Sequence, residues 1–287
     1  MNKYTASYDQ IQEDKKDFYA QGGGKTDKKI GLDVNRLLQR WIALLEEQNG
    51  ENFDDYAMTE QHKVTSMLEP WVPAPARVLF LGTGTGREVH AATVQGYEAH
   101  GTTLGKENLP FAKWKFDLDL QYVDNCTLPY ADKSFDALAG FQIFEHCHAP
   151  YMFLVECCRV LKEGGTLILE WPPFMATADG TVTPNPGETH NFMGDYNDDN
   201  LHHACCWTPA QAWIMVRRCG FEDVQLYVSG FTSGSRSDEE GVPNHLTRIT
   251  ETDEAFWTNV SPGDIVLKAT RRLDNNQPGY MKGMLNG

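Results

Sequence analysis

Apolar and polar positions follow two rhythms along this chain, and the change comes near Pro75. Residues 1–30 are polar and close on the run Gln21-Gly22-Gly23-Gly24-Lys25, which reads as an arm. Leu32, Val34, Leu37, Leu38, Trp41, Ile42 and Leu45 then recur at three- and four-residue spacing, one face of an amphipathic helix. Asn49-Gly50 stops that helix, and a second is predicted from about Tyr56 to Leu68. Pro70, Pro73 and Pro75 form a stiff link, so residues 1–75 are expected to be an N-terminal arm and helical cap.

Beyond the link, short apolar runs alternate with helical stretches. Strands are predicted at 78–81, 97–104, 120–123, 135–141 and 166–170, with one helix ending near Val94 and another over 152–161. A helix over 210–219 follows, with Thr208-Pro209 as its cap and first turn, and then strands at about 224–228 and 265–270. This alternation predicts an α/β fold, a mostly parallel sheet with helices on both faces. Two segments, about 172–206 and 231–263, break the pattern and are rich in Gly, Pro, Asn and Asp. They read as insertions of the lid or substrate-loop kind within a domain spanning 76–287.

Charge narrows the function classes. Forty acidic residues face 25 basic ones, a formal net charge of −15. Proteins that grip a duplex cluster Lys and Arg, and no such cluster occurs, so long nucleic acid is not an expected partner. No stretch approaches the roughly 20 apolar residues of a membrane span. Met1 to Gln10 holds no apolar run, so no secretory signal is expected. The cysteines number seven, and the neighbours Cys157-Cys158 and Cys205-Cys206 are not CxxC pairs. Reduced thiols in a cytoplasmic compartment are the simpler reading.

The run from Val78 to Glu88, with Gly82, Gly84 and Gly86, reads as strand, tight turn and helix start. A dinucleotide site wants GxGxxG, but here the third glycine comes one residue early and Arg87 stands where that pattern wants glycine. A nicotinamide dinucleotide is therefore disfavoured. Four further segments follow in order: Asp124 to Tyr130, Asp132 to Asp136, Glu145-His146, and Arg159 to Gly165. With the glycine loop they resemble the class I S-adenosylmethionine-dependent methyltransferases, specifically the methyltransferase-11 or UbiE-like group, over roughly residues 76 to 230.

The resemblance implies a seven-stranded Rossmann-like sheet, with the last two strands completing an antiparallel edge. It also implies S-adenosyl-L-methionine as cofactor and methyl transfer to a small-molecule or glycan-type acceptor. Gly82, Thr83, Gly84 and Gly86 would wrap the methionine end, and Asp124, Asn125 and Cys126 would lie at the adenine. Phe141 and Gln142 would line the inner face. The family's ribose-gripping acid falls on Thr103, followed by Leu104, and a threonine hydroxyl cannot accept both ribose hydroxyls as a carboxylate does. That departure motivates a second reading, a non-catalytic binding or assembly module. Glu145 and His146 are the candidates for acid–base work, His146 because imidazole takes a proton near neutral pH; structural or substrate-positioning roles are the alternative for His146.

His190, His202, His203, Cys205 and Cys206 crowd the first insertion with Asp195, Asp198 and Asp199. The spacing fits no zinc finger or ribbon. Asp195, Asn197 and Asp199 imitate the start of a calcium loop, but Asn200 and Cys206 occupy its glycine and glutamate positions. A polar lid, with His190, His202 and His203 toward the acceptor and no metal, is the expectation.

Overall fold

Val78, Leu79, Phe80 and Leu81 are all buried, as a central parallel strand with both faces covered requires. The computed structural model describes residues 64–106, 108–173, 175–178, 181–184, 207–229, 242–243, 245–258, 260–261 and 263–285. The predicted helix over 32–45 lies outside them. Of the second predicted helix, only the single π-helical turn Val64–Leu68 is described.

In chain order the elements are β1 (Arg77–Phe80), α1 (Arg87–Val94), β2 (Glu98–Thr103), α2 (Asn108–Phe116), β3 (Gln121–Tyr122) and β4 (Phe135–Phe141). Then come α3 (Pro150–Val160), β5 (Leu161–Trp171), β6 (Met175–Ala178), β7 (Thr181–Pro184), α4 (Pro209–Arg218) and β8 (Phe221–Ser229). The last are β9 (Leu246–Ile249), α5 (Glu254–Thr258), β10 (Val260–Ser261), β11 (Ile265–Arg271) and α6 (Gly279–Leu285). The cap of α4 is built as its sequence implies: Thr208 and Gln211 form a reciprocal capping box, with proline in the first turn.

Eight strands form one sheet in the order β3-β2-β1-β4-β5-β11-β8-β9. Pairing is parallel from β3 to β5, whereas β11 runs antiparallel to β5 and β8, and β9 to β8. The fold is the expected Rossmann-like α/β sheet, with one correction: seven strands were expected and β9 makes an eighth. In β9, Leu246 and Ile249 are buried while Thr247 and Arg248 are exposed, so no period-two alternation announces a strand. The insertions also supply a small second sheet, β10-β6-β7. Both are therefore partly built into sheets rather than wholly into loops.

Helices cover both faces. Leu79, Leu138, Phe153, Leu167, Leu169 and Val216 belong to one core, and Val78, Phe80, Val89, Ala139, Ile168 and Val266 to the other. Trimming Leu79 or Leu138 to Ala would cost about 2–5 kcal/mol. The chain leaves β1 toward β2 on one side and β4 toward β5 on the other, so the order reverses between β1 and β4. That reversal opens a crevice at the carboxyl ends of the strands, where open α/β sheets bind ligands.

Two features of the sequence motif hold the frame beneath this crevice. The Arg159 guanidinium donates to the carbonyl oxygens of Leu128 (2.9 Å) and Tyr130 (2.7 Å) and to the carboxylates of Asp132 and Glu156 (both 2.8 Å). It thereby pins the segment that carries the chain from the crevice into β4. A Cβ on Gly165 would stand 2.8 Å from the Lys162 oxygen and 3.0 Å from that of Asp136, so only glycine allows that backbone approach. No helix among the described residues is long and apolar enough to cross a membrane.

Candidate active site

The three loop glycines do different jobs. Gly82, Gly84 and Gly86 have φ of +65°, +53° and +85°, the left-handed region in which side chains are strained. A Cβ on Gly82 would collide with Ile143, and one on Gly86 would sit 3.2 Å from Leu118 and 3.3 Å from Leu120. A Cβ on Gly84 would meet nothing within 4 Å beyond its own chain neighbours. Gly82 and Gly86 serve packing; Gly84 faces open space.

Thr102 clamps the loop to its neighbours. Its buried hydroxyl accepts from the Gly82 N–H (3.0 Å) and donates to Asn125 Oδ1 (2.7 Å), while its carbonyl accepts from the Thr83 N–H (2.9 Å). Thr83 turns its own hydroxyl to Glu88 at 2.8 Å. Thr103 is 3 % exposed, and its hydroxyl oxygen accepts from the Gly105 N–H (3.2 Å) and from Asn108 Nδ2 (2.9 Å).

Past Thr103 the chain reaches a cavity of about 100 Å³ at Leu104. Leu104, Asp124, Asn125 and Cys126 line it together with Ile143 and His146. Asp124 does the turn-capping work open to any Asp in such a place, accepting the Cys126 N–H at 2.8 Å through Oδ1. Asn125 spends its carboxamide oxygen on Thr102. Burial first, then the neighbouring Cys147 and Asp124, pushes the Cys126 thiol up to about 12, so it stays protonated at neutral pH.

Glu145 and His146 ride on a 3-10 turn, Phe144–His146. The Phe144 ring anchors it, 5.5 Å from the Trp207 ring and 5.8 Å from that of Trp171. Trp207 Nε1 donates to the Phe144 oxygen at 3.1 Å and Trp171 Nε1 to the Trp207 oxygen at 3.0 Å. Glu145 is 2 % exposed, with Oε1 3.7 Å from His146 Nε2, an ion-pair distance beyond hydrogen bonding. His146 reaches the cavity wall; Glu145 does not line it.

Past β4, Phe141 is buried and Gln142 adopts φ +54°, rare for a residue with a side chain. Its N–H donates to the Glu170 oxygen (2.9 Å) and its Nε2 to Asp264 Oδ2 (3.2 Å). Gln142 thus ties β4 to the end of β5 and the start of β11. Strain of this kind persists where surrounding bonds over-determine the backbone.

A family described as "Methyltransferase domain" matches residues 79–169. This stretch is similar to methyltransferase domains. The chain is 28% identical over 155 residues to the 27-O-demethylrifamycin SV methyltransferase of Amycolatopsis mediterranei, a match over 48% of this chain and 57% of that one. It is 31% identical over 101 residues to the demethylmenaquinone methyltransferase of Tropheryma whipplei, 34% of this chain and 42% of that one. The chain therefore spans less than two thirds of the length of either relative. Among solved structures, a SAM-dependent methyltransferase from Archaeoglobus fulgidus superposes with a TM-score of 0.53 at 17% identity, covering 80% of this chain and 99% of that one. That likeness concerns the fold alone.

Within the matched stretch, the structure brings Leu104, Asp124, Asn125, Cys126 and His146 to one cavity. Gly82, Thr83, Gly84 and Thr103 sit on the neighbouring turns, with Phe141 and Gln142 at the end of β4. His190, His202 and His203 lie outside the described residues, as does the imitation calcium loop. No group of three or more His, Cys, Asp or Glu arranged to hold a metal occurs among the described residues. Sequence reasoning missed Thr102, Ile143, Asn108 and the buried Glu170. Glu170 is 2 % exposed at the end of β5, and a glutamate ending an apolar run carries no signal that it points inward. The Gly101-Thr102-Thr103 triplet was the one available hint, because small and hydroxylated residues cluster where backbones approach closely.

Proposed function

We propose that this chain transfers the methyl group of S-adenosylmethionine to a nucleophile on a small-molecule acceptor. The observation that carries the reading is the glycine loop: Gly84 leaves bare backbone facing open space at the carboxyl end of β1, ahead of α1. A ligand can approach that backbone closely, and the α1 N-terminus favours a carboxylate. The cofactor supplies a methyl carbon already activated by a sulfonium.

The protein's own contribution is placement. Leu104 offers an apolar wall, and Asp124 keeps one carboxylate oxygen beyond its turn-capping bond for an exocyclic amine. His146, on the same cavity, closes that side and positions the nucleoside. Gln142, held by Asp264, borders the acceptor side near β5 and β11. Alignment and exclusion of water supply most of the acceleration for such a transfer.

Adding S-adenosylhomocysteine should raise the melting temperature, because a ligand that binds only the native state stabilises it by mass action. No shift at millimolar ligand in folded protein would sink the reading. A second reading, a binding module without turnover, is favoured by Thr103 in place of a carboxylate. Labelled-cofactor transfer screened against mixed small-molecule acceptors separates the two, since a module would bind and leave no labelled product.

A further inference from the structure

We infer that Cys126 and Cys147 are an oxidisable pair, and that a disulfide between them closes the cavity on the Asp124 side of the crevice. That such closure weakens cofactor binding rests on the reading above that the crevice takes an adenosyl group.

Five cysteines are described, all as thiols. Cys157, Cys158 and Cys219 are buried, the setting of inert structural cysteines. Cys126 and Cys147 are half-buried, and both line the cavity of about 100 Å³. They arrive on different segments. Cys126 follows Asp124 and Asn125 beyond β3, and Cys147 caps the 3-10 turn, its N–H donating to the Phe144 oxygen at 3.2 Å. The fold brings the two together: the Cys126 thiol donates to the oxygen of Ala149, two residues past Cys147, at 3.7 Å. Cys147 is also near enough to share a side-chain hydrogen bond with it.

A peroxide is the oxidant the step needs. The Cys147 sulfur, as thiolate, attacks one peroxide oxygen; an S–O bond forms, the O–O bond breaks, and the departing hydroxide takes up the thiol's proton as water. Cys126, which burial and its neighbours push up to about 12, serves as the resolving thiol. Its sulfur attacks the sulfenic sulfur of Cys147, the S–S bond forms, and the S–O bond breaks with loss of a second water. Two thiols are oxidised by two electrons and one peroxide is reduced to two waters.

In a disulfide the sulfurs stand about 2 Å apart, closer than two thiols in contact. Bond formation therefore draws the segment at Cys126 and the turn at Cys147 toward each other. Asn125 and His146, their chain neighbours, line the same cavity and move with them. Asn125 also accepts from the Thr102 hydroxyl, which accepts from the Gly82 N–H, so the pull reaches the glycine loop.

The test treats the full chain with hydrogen peroxide, quenches with catalase, and maps the digest by mass spectrometry. A Cys126–Cys147 linked peptide, two hydrogens lighter than its thiol parts, should form. Calorimetry should show S-adenosylhomocysteine bound at least about tenfold more weakly, the scale of one or two lost hydrogen bonds, with recovery in dithiothreitol. Cys147→Ser, whatever its own affinity, should keep that affinity through the same treatment. Absence of the linked peptide, a linked protein with unchanged affinity, or an equal loss in Cys147→Ser overturns the proposal. Reduced wild-type protein that binds no S-adenosylhomocysteine overturns the adenosyl reading instead, and the linked peptide still decides the disulfide.

Discussion

The glycine loop and the Thr103 turn sit on adjacent strand ends, yet they shape the proposed binding surface by opposite means. The loop works by absence: at Gly84 nothing stands within 4 Å of where a side chain would begin. The turn works by allocation, with the Thr103 hydroxyl already committed to Gly105 and Asn108. A site made by absence tolerates no added atoms. A site made by allocation tolerates replacement, provided the donors and acceptors still balance.

The largest effects should therefore come from the loop, and they should differ between its glycines. Gly84→Val should abolish measurable cofactor binding in a chain that still folds, because its side chain enters ligand space rather than protein. Only the left-handed backbone is strained, at a cost of about 1–2 kcal/mol. Gly82→Ala adds a collision with Ile143 to the same strain, so its loss should appear in the melting curve before any ligand is added. Parallel thermal melts and calorimetry check both. If Gly84→Val binds normally, or Gly82→Ala melts like the wild type, the division of labour is wrong.

The frame under the Asp124 side of the crevice predicts a pH window. Burial would raise the carboxyls of Asp136 and Glu156, but hydrogen bonds outweigh it and hold both below their ordinary values. For Asp136 the donors are Lys162 and the Arg77 N–H; for Glu156 they are Arg159 and the Leu128 N–H. A carboxyl with a lowered folded pKa contributes stability above its unfolded value, near 4, and loses it as pH falls through the folded one. Stability should hold from neutral pH to about 5 and fall steeply below about 4. Glu156→Gln should flatten that acid limb and cost about 1.5–3 kcal/mol at neutral pH, the scale of hydrogen bonds to a charged group. An unchanged acid limb, followed by circular dichroism, would remove Glu156 from the frame.

The same contrast explains what could be read in the sequence. The parallel strands declare themselves by apolar runs such as Val78 to Leu81, and the loop by three glycines in five residues. Positive φ is a local demand that residue identity records. Strand β9 stayed hidden because its buried ends, Leu246 and Ile249, are three apart inside a Gly- and Pro-rich stretch. Helix α2 has no clear apolar periodicity, so no local pattern marks Asn108. What Thr102, Asn125 and Asp124 do with their polar atoms depends on partners up to 23 residues away, and no local pattern encodes such a pairing.

The smallest and sharpest effect concerns Thr103 itself. Replacing Thr103 by Asp would keep an acceptor for Gly105 and Asn108 on one carboxylate oxygen and offer the ribose a second. The added charge-assisted hydrogen bond should tighten cofactor binding by about 1 kcal/mol. Two costs oppose it. The position is 3 % exposed, so the carboxylate loses solvation, and the chain already carries a net charge of −15. The first cost is limited because two donors are in place to receive the charge, and the cofactor's sulfonium offsets the second in part. Affinity should therefore rise about fivefold for S-adenosylmethionine, which carries the sulfonium, and less for S-adenosylhomocysteine, which lacks it. Equal gains for the two ligands would mean that the carboxylate acts only through the ribose. Weaker binding of both in a folded variant would mean that the ribose is held away from Thr103, and the division between absence and allocation would lose its second half.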